Sequence, residues 1–276
     1  MAARKDKKKS SFGPGFLVTA AFIGPGTVTT CSLAGARFGP TLLYGLLFAT
    51  AATILLQEMT GRLSLGAKTD LAQSLREFPR SQVTKLIFII LTLSSITFGC
   101  MAYEAGNIIG GSLGLEMVTS LPKKIWVLLI SGTAFFILNQ KRYRIVEKTL
   151  MFLVFLMSLS FLTTVIIIRP NLLSVLKGFI PSFPDGSLPL LLALIGTTIV
   201  PYNLFLHSSA VKEKWNQSKD LKLMRRDLFY SVSLGGLIST AIIITSSSAY
   251  FEKGLLLENG AQMAEQLKPL FGYLTK

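Results

Sequence analysis

Three long apolar stretches dominate this sequence, at residues 83–103, 145–168 and 226–250. Each approaches or exceeds the roughly 20 residues that an α-helix needs to cross the hydrocarbon core of a bilayer. Because lipid offers the backbone no hydrogen-bond partners, a spanning segment must satisfy its own amides and carbonyls. The stretches lack the alternation of apolar and polar residues that is typical of a transmembrane β-barrel. With 50% hydrophobic and 15% charged residues, the chain is predicted to be an all-α membrane protein.

Hydropathy and charge together predict the number of spans and their orientation. We predict seven membrane spans, at about residues 12–37, 41–62, 83–112, 123–138, 145–168, 188–211 and 226–251. Of the 28 lysines and arginines, 20 lie on one side, in the N-terminal tail and around the segments after spans 2, 4 and 6. Since positive charge marks the cytoplasmic side, we expect a multi-pass protein of the cell membrane with a cytoplasmic N-terminus. The same distribution explains the net charge of +14 without a nucleic-acid partner.

The first and the sixth span contain helix-breaking residues at corresponding places. Residues 24–27 read GPGT, and residues 196–203 read GTTIVPYN. Proline removes a backbone donor and clashes with the preceding turn, and glycine accepts unwound dihedral angles. Unwound backbone survives at membrane depth only where it is buried in protein or lines a cavity. A packing kink would explain either break alone, but two breaks five spans apart favour an inverted-repeat transporter with its site at the breaks.

The sequence around these breaks also carries a family resemblance. The stretch GPGFLVTAAFIGPGTVTT is followed by GARFG, LLQEMTGRLSLGAKTDLAQ and PSFPDGSLPLLLALIGTTIVPYNLFLHSS. From about residue 13 to its end, the chain resembles the NRAMP family of metal-ion transporters. The resemblance implies the leucine-transporter fold, in which spans 1–5 and spans 6–10 form inverted repeats and spans 1 and 6 are broken.

This resemblance divides the chain into five segments. They are a basic cytoplasmic tail (1–11), a first repeat with spans 1–5 (12–168), an external loop (169–187), the start of a second repeat with spans 6 and 7 (188–251), and an external loop (252–276) with a short amphipathic helix at about 260–271. Only seven of the ten core spans are then present. We therefore expect the chain to be a fragment or a truncated product with an incomplete second repeat.

The metal-binding positions of the family are altered in this chain. The first-span motif of the family is Asp-Pro-Gly-Asn, and this chain has Gly24 and Thr27 at the two ends of that motif. The sixth-span motif is Met-Pro-His-Asn, and this chain has Val200 and Tyr202 in place of the methionine and the histidine. The altered pattern is similar to a divergent branch of the family, the NRAMP-related magnesium transporters.

The chemistry of the remaining ligands points to the same kind of ion. A methionine sulfur favours manganese and iron over magnesium, and Val200 offers no sulfur. Magnesium is small and hard, and it usually keeps several waters when it binds. The hydroxyls and carbonyls of Gly24, Thr27, Thr197 and Tyr202 suit such a hydrated ion, and with Val200 they form the predicted metal site. We expect Mg²⁺ or Mn²⁺ as the transported substrate and no cofactor.

Four further residues are predicted to lie on the ion pathway or around the site. Glu104 is a rare carboxyl within a span and is treated as functional, and Asn107 lies one turn later on the same face. In the family an acidic pair occupies these two positions. Asn203 follows the second break, and His207 titrates near neutrality and could relay protons. A packing role is the alternative for Glu104 and for His207, whereas Glu58, near a span end, is predicted to be structural.

Other functions remain open from the sequence alone. The altered site could have decayed and bind nothing, or the protein could be a proton-coupled manganese or iron importer. A carrier of a small organic solute on the same fold is a further alternative. An intramembrane enzyme is not supported, because the sequence has no HExxH motif, no intramembrane aspartate pair and no serine motif beside a histidine base. The sequence does not determine the oligomeric state.

Overall fold

Helices make up nearly all of the structure. The computed structural model describes residues 13–119, 121–139, 143–215, 220–255, 257, 263 and 266–270. In these residues the chain forms α-helices and short 3₁₀ turns and no β-strand, which confirms the all-α fold class. The α-helices are α1 (Pro14–Phe22), α2 (Pro25–Phe38), α3 (Leu43–Ala67), α4 (Leu71–Glu77), α5 (Gln82–Thr119), α6 (Lys123–Leu138), α7 (Tyr143–Ile168), α8 (Leu172–Lys177), α9 (Leu188–Thr198), α10 (Pro201–Lys214) and α11 (Leu221–Ala249). The basic tail and most of the helix predicted at about 260–271 lie outside the described residues.

Four helical stretches in the described part of the chain are long and apolar enough to cross a membrane, judged by length and composition. They are Pro25–Ala67, Gln82–Glu116, Leu188–Lys214 and Leu221–Lys253. The first has 43 residues, or about 65 Å at 1.5 Å per residue, which is about twice the thickness of a bilayer core. A 3₁₀ turn at Gly39–Leu42 divides it. Helix α3, with 25 residues, is long enough to cross once, and α2, with 14 residues, completes the span that α1 begins. The chain is a multi-pass membrane protein.

Both broken spans have the same local geometry. Helix α1 ends at Phe22, and Ile23 and Gly24 are extended before α2 begins at Pro25. Helix α9 ends at Thr198, and the non-helical Ile199 and the extended Val200 precede α10, which begins at Pro201. Proline suits the first position of a helix, because its fixed φ is helical and its missing N–H has no partner there in any case. The prediction that spans 1 and 6 are broken is confirmed.

The broken spans pack with α3 and α11 around one apolar core. Helix α11 contacts α1, α2 and α3, while α10 packs on α3 and α9 packs on α2. The core residues come mainly from these helices; they are Val18, Phe22, Ile23, Cys31, Ala34, Leu42, Leu43, Leu46, Phe161, Leu194, Val200, Ile238, Ala241, Ile242 and Ile243. Helix α5 lies at the side of this bundle against α2 and α6. The two breaks therefore lie inside the bundle, next to α5.

Candidate metal-ion site at two broken helices

The two breaks lie next to each other, although they are far apart in the sequence. The hydroxyl of Tyr202, in the first turn after the second break, lies 3.5 Å from the carbonyl oxygen of Ala21, just before the first break. The ring of Tyr202 packs edge-on against Tyr103 of α5, with 5.8 Å between the ring centroids. Two tyrosines thus join the second break and α5 to the end of α1.

Hydroxyl groups surround the carbonyl at the end of α1. The Thr27 side chain is fully buried, and its hydroxyl donates to the Phe22 carbonyl oxygen over 2.5 Å. The Tyr103 hydroxyl donates to the same oxygen over 2.6 Å. Sequence reasoning placed Thr27 here and missed Tyr103. The available signal was a tyrosine inside an apolar span, directly before Glu104.

Asn107 binds the other side of the first break. Its Oδ1 accepts a hydrogen bond from the Gly26 backbone N–H over 3.1 Å, which satisfies one of the unpaired donors in the first turn of α2. A β-carbon at Gly24 or Gly26 would lie only 3.0 or 3.2 Å from this oxygen. The two glycines therefore permit the approach of α5 to the break. The Nδ2 of Asn107 lies 3.5 Å from Oε2 of Glu104, whose side chain is exposed.

The side chains at the second break are differently placed. Val200 is buried in the apolar core. The Thr197 hydroxyl donates to the carbonyl oxygen of Leu194 in its own helix, over 3.0 Å, and this hydrogen bond does not involve the first break. Asn203 is fully buried, and within the described residues its side-chain amide has no hydrogen-bond partner.

A buried polar seam runs between α3 and α10 from the second break toward the end of α10. It begins where the Thr53 hydroxyl donates to the Thr198 carbonyl oxygen, over 3.3 Å. Further along, Nδ1 of His207 lies 3.4 Å from the Thr60 hydroxyl, and the Ser64 and Ser208 hydroxyls lie 2.8 Å apart. His207 is completely buried in this seam, and its contact with Thr60 directs its Nδ1 toward α3.

Two ion pairs join the helices near this seam. Glu58 of α3 forms two short contacts with Arg225 of α11, at 2.7 Å to Nε and 2.6 Å to a terminal nitrogen. Asp70 and Lys212 form an ion pair at 3.2 Å between α4 and α10. The backbone N–H of Gln73, and to a lesser extent Lys212, lower the pKa of Asp70 below its ordinary value. Glu58 thus ties two helices together, which is a structural role.

The groups at the breaks that could bind a metal ion are neutral oxygen ligands, and one carboxylate, that of Glu104, lies nearby. Among the described residues, no three histidine, cysteine, aspartate or glutamate side chains lie close enough together to hold a metal ion. An ion at the breaks would meet carbonyl, hydroxyl and amide oxygens. These are ligands that suit hard cations such as magnesium, calcium and manganese.

The paired broken helices inside one bundle define a class of protein, a multi-pass membrane protein of the leucine-transporter fold. The sequence model of the natural resistance-associated macrophage protein-like (Nramp) family matches residues 15–276, and the chain belongs to this family. It is 30% identical, over 263 residues, to the divalent metal cation transporter MntH of Staphylococcus aureus strain RF122, and to its counterpart in strain JH9. These matches cover 91% of this chain and 57% of each relative.

Solved structures give the same fold. A mutant form of the Eremococcus coleocola manganese transporter superposes with a TM-score of 0.70 and 25% identity, over 95% of this chain and 60% of that chain. The same transporter in complex with an aromatic bis-isothiourea compound gives a TM-score of 0.69 and 23% identity, over the same shares of both chains. The chain thus spans less than two thirds of the length of these relatives.

Proposed function

We propose that this protein moves divalent metal ions, both magnesium and manganese, across the cell membrane by alternating access. The observation that carries the proposal is that the two broken helices meet with hydroxyl, carbonyl and amide oxygens at their junction. Broken helices at mid-membrane depth are the usual binding sites of transporters built on this plan. The names of the relatives, a divalent metal cation transporter and a manganese transporter, support the class of ion.

The proposal that magnesium is accepted rests on Val200 and Tyr202. Val200 lies in the second break and Tyr202 directly after it, and neither side chain offers a sulfur or an imidazole. A soft ligand gives manganese and iron an advantage over magnesium, and its loss removes that advantage. Magnesium keeps its waters more firmly than larger divalent ions, so a site of neutral oxygens that does not strip the ion suits it.

We assign the metal site to Gly24, Thr27, Thr197, Val200 and Tyr202, with Glu104, Asn107, Asn203 and His207 on the pathway. Three contacts support the assignment at the first break: those of Thr27, Tyr202 and Asn107. Glu104 supplies the negative charge that attracts a cation, since it lies within 3.5 Å of Asn107. In this proposal the Thr197 hydroxyl turns toward the ion during transport, and His207 relays protons along the seam between α3 and α10.

We also propose that the N-terminus is cytoplasmic and that residues 12–168 and 188–251 belong to two inverted repeats. The N-terminal end of α1 contacts the start of α11, because the Gly15 N–H donates to Asp227 over 2.7 Å. The start of α11 also carries Arg225, which pairs with Glu58 of α3. At the end of α10, Lys212 pairs with Asp70 in the segment after α3. Among the described residues, the segment after α3 and the region between α10 and α11 thus lie at the same end of the bundle as the start of α1. This arrangement supports a cytoplasmic N-terminus by the positive-inside rule.

Uptake into proteoliposomes by the whole protein tests the proposal. We expect saturable Mn²⁺ uptake that a tenfold excess of Mg²⁺ reduces by about half or more, because neither ion has a preferred ligand at the site. Manganese uptake that does not respond to a hundredfold excess of magnesium would contradict the proposal.

A matched pair of variants tests the pathway. Glu104→Gln removes the charge beside Asn107 and should lower uptake several-fold, whereas Glu58→Gln changes a carboxylate in the ion pair with Arg225 and should lower uptake less. Equal effects would remove Glu104 from the pathway.

A further inference from the structure

Hydroxyl groups already bind the carbonyl that a bare ion would use at the first break. The last carbonyls of a helix have no partner within it, and their dipoles attract a cation. In this chain the Phe22 carbonyl oxygen, at the end of α1, accepts hydrogen bonds from Tyr103 (2.6 Å) and Thr27 (2.5 Å). A carbonyl oxygen has two lone pairs, so these two donors saturate it. A metal ion can bind this oxygen directly only after one hydroxyl has moved away.

The preceding carbonyl, that of Ala21, is flanked by two tyrosines. The hydroxyl oxygens of Tyr103 and Tyr202 each lie 3.5 Å from it. Their rings pack edge-on at an interplanar angle of 76°. One ring comes from α5 and the other from α10, so the two phenols cover the C-terminal end of α1 from two different helices.

A phenol that donates its proton to a carbonyl keeps oxygen lone pairs for a second partner. The waters around a divalent cation are hydrogen-bond donors, and they require acceptors. Tyr103 and Tyr202 offer their phenol oxygens, Asn107 offers the second lone pair of Oδ1, and Glu104 offers a carboxylate 3.5 Å from the Asn107 amide. These groups are suited to bind the water shell of an ion rather than the ion itself.

We propose that Tyr103 and Tyr202 determine ion specificity, because their hydrogen bonds to the first break keep an incoming divalent cation hydrated. The inference rests on the proposed function and extends it by naming the groups that enforce hydration. Magnesium gives up its waters reluctantly and is accepted by such a site. Ions that shed water more readily have no advantage in affinity at this site, because hydroxyl groups already bind the carbonyl oxygens that would replace their waters.

Substitution of tyrosine by phenylalanine tests this inference, because it removes the hydroxyl and keeps the ring. The variants are Tyr103→Phe and Tyr202→Phe, in the whole protein reconstituted in liposomes. Tyr44→Phe is the matched control, since Tyr44 lies at the start of α3 and packs edge-on against Phe183, with ring centroids 5.8 Å apart. We expect Tyr103→Phe to shift the ratio of Mg²⁺ to Mn²⁺ uptake toward manganese by about three- to tenfold, the range set by one lost hydrogen bond. Tyr202→Phe should act in the same direction, and Tyr44→Phe should leave the ratio unchanged.

A second measurement reports hydration directly. Pulsed electron paramagnetic resonance of bound Mn²⁺ in ¹⁷O-labelled water counts the water molecules on the ion, and Tyr103→Phe should lower that count by about one, because one carbonyl becomes available. An unchanged ratio and an unchanged water count, in a variant that melts like the parent, would overturn the inference and leave the proposed function intact. An equal loss of uptake for both ions would overturn it as well. That result is expected if the tyrosine hydroxyls only stabilise the end of α1 and do not affect which ion is bound. Absence of uptake of either ion by the parent protein would instead contradict the proposed function and, with it, the inference.

Discussion

The spacing between α2 and α11 depends on a single glycine. A β-carbon on Gly35 of α2 would clash with the carbonyl oxygen of Ile243 on α11. Ser246, one turn later on α11, donates a hydrogen bond to the Ser32 carbonyl oxygen over 2.6 Å. The two helices therefore touch through backbone atoms, and this contact fixes the position of α2, whose first turn carries Thr27.

Gly35→Ala should consequently destabilise the protein. The added methyl group forces α2 and α11 apart, and overpacking of this kind costs about 1–3 kcal/mol. Gly66→Ala on α3 is the matched control, because among the described residues no atom outside the immediate helix backbone lies within 4 Å of its β-carbon position. It should stabilise the protein by at most about 1 kcal/mol through helix propensity. Chemical unfolding in detergent measures both changes, and equal melting of the two variants would argue against a backbone contact at Gly35.

At the scale of residues, local sequence signals predicted part of the candidate site. Thr27 and Tyr202 lie beside the breaking prolines, and Asn107 lies one turn after a carboxyl inside a span, so each could be identified from the sequence. Tyr103 gave only a weak signal, a tyrosine inside an apolar span, because its bond to Phe22 joins residues 81 positions apart and helical periodicity does not indicate which tyrosine reaches a break. The sequence also did not determine the direction of the Thr197 hydroxyl, because a helical threonine can donate a hydrogen bond either to its own helix or to a neighbouring helix.

At the scale of elements, both halves of the first span receive their N-terminal caps from other helices. Helix α1 has only nine residues, and its N-cap, Gly13, has no side chain to bind the first backbone donors. Asp227 of α11 replaces that cap, because its carboxylate accepts from the Gly15 N–H over 2.7 Å. Asn107 of α5 serves α2 in the same way through Gly26. The N-terminal caps of the two halves thus come from two different helices, α11 and α5.

Asp227→Ala should loosen α1 without unfolding the bundle. Loss of a helix cap costs about 0.5–2 kcal/mol, and the effect should appear as faster hydrogen exchange of the amides in Pro14–Phe22. Asp220→Ala is the control, since Asp220 stands at the N-cap of α11 and its side chain makes no cap hydrogen bond; it should change stability by less than about 0.5 kcal/mol. Equal protection of α1 in the two variants would show that Asp227 does not hold this helix.

The contrast between the breaks and their caps shows what the sequence could and could not predict about the elements. Pro25 and Pro201 each begin a helix. Because a proline disfavours helical geometry in the residues directly before it, both breaks could be predicted from the local sequence. The cap of α1 joins residues 212 positions apart. It depends on the packing of α11 against α1, which hydropathy alone does not determine.

At the scale of the whole molecule, polar contacts fasten α3 to both α10 and α11. Buried serines join α3 to α10, with 2.8 Å between the hydroxyls of Ser64 and Ser208. Glu58 joins α3 to α11 through Arg225. Helix α5, by contrast, is exposed along most of its length and meets the broken spans through a few side chains, including Tyr103 and Asn107. We therefore expect α3, α10 and α11 to move as one unit relative to α5 in the proposed alternating-access cycle.

A disulfide between α3 and α10 tests this division. In the double variant Ser64→Cys with Ser208→Cys, the two sulfurs replace hydroxyls that already touch, so a disulfide can form with little backbone movement. Because the two helices move together, oxidation should leave Mn²⁺ uptake within about twofold of the reduced protein, a barrier change well below 1 kcal/mol. Each single cysteine variant controls for the loss of its serine, and the same double variant after reduction controls for the cross-link itself. If oxidation abolishes uptake and reduction restores it, α3 and α10 must slide past each other during transport, and the boundary between the moving and the static helices lies between them.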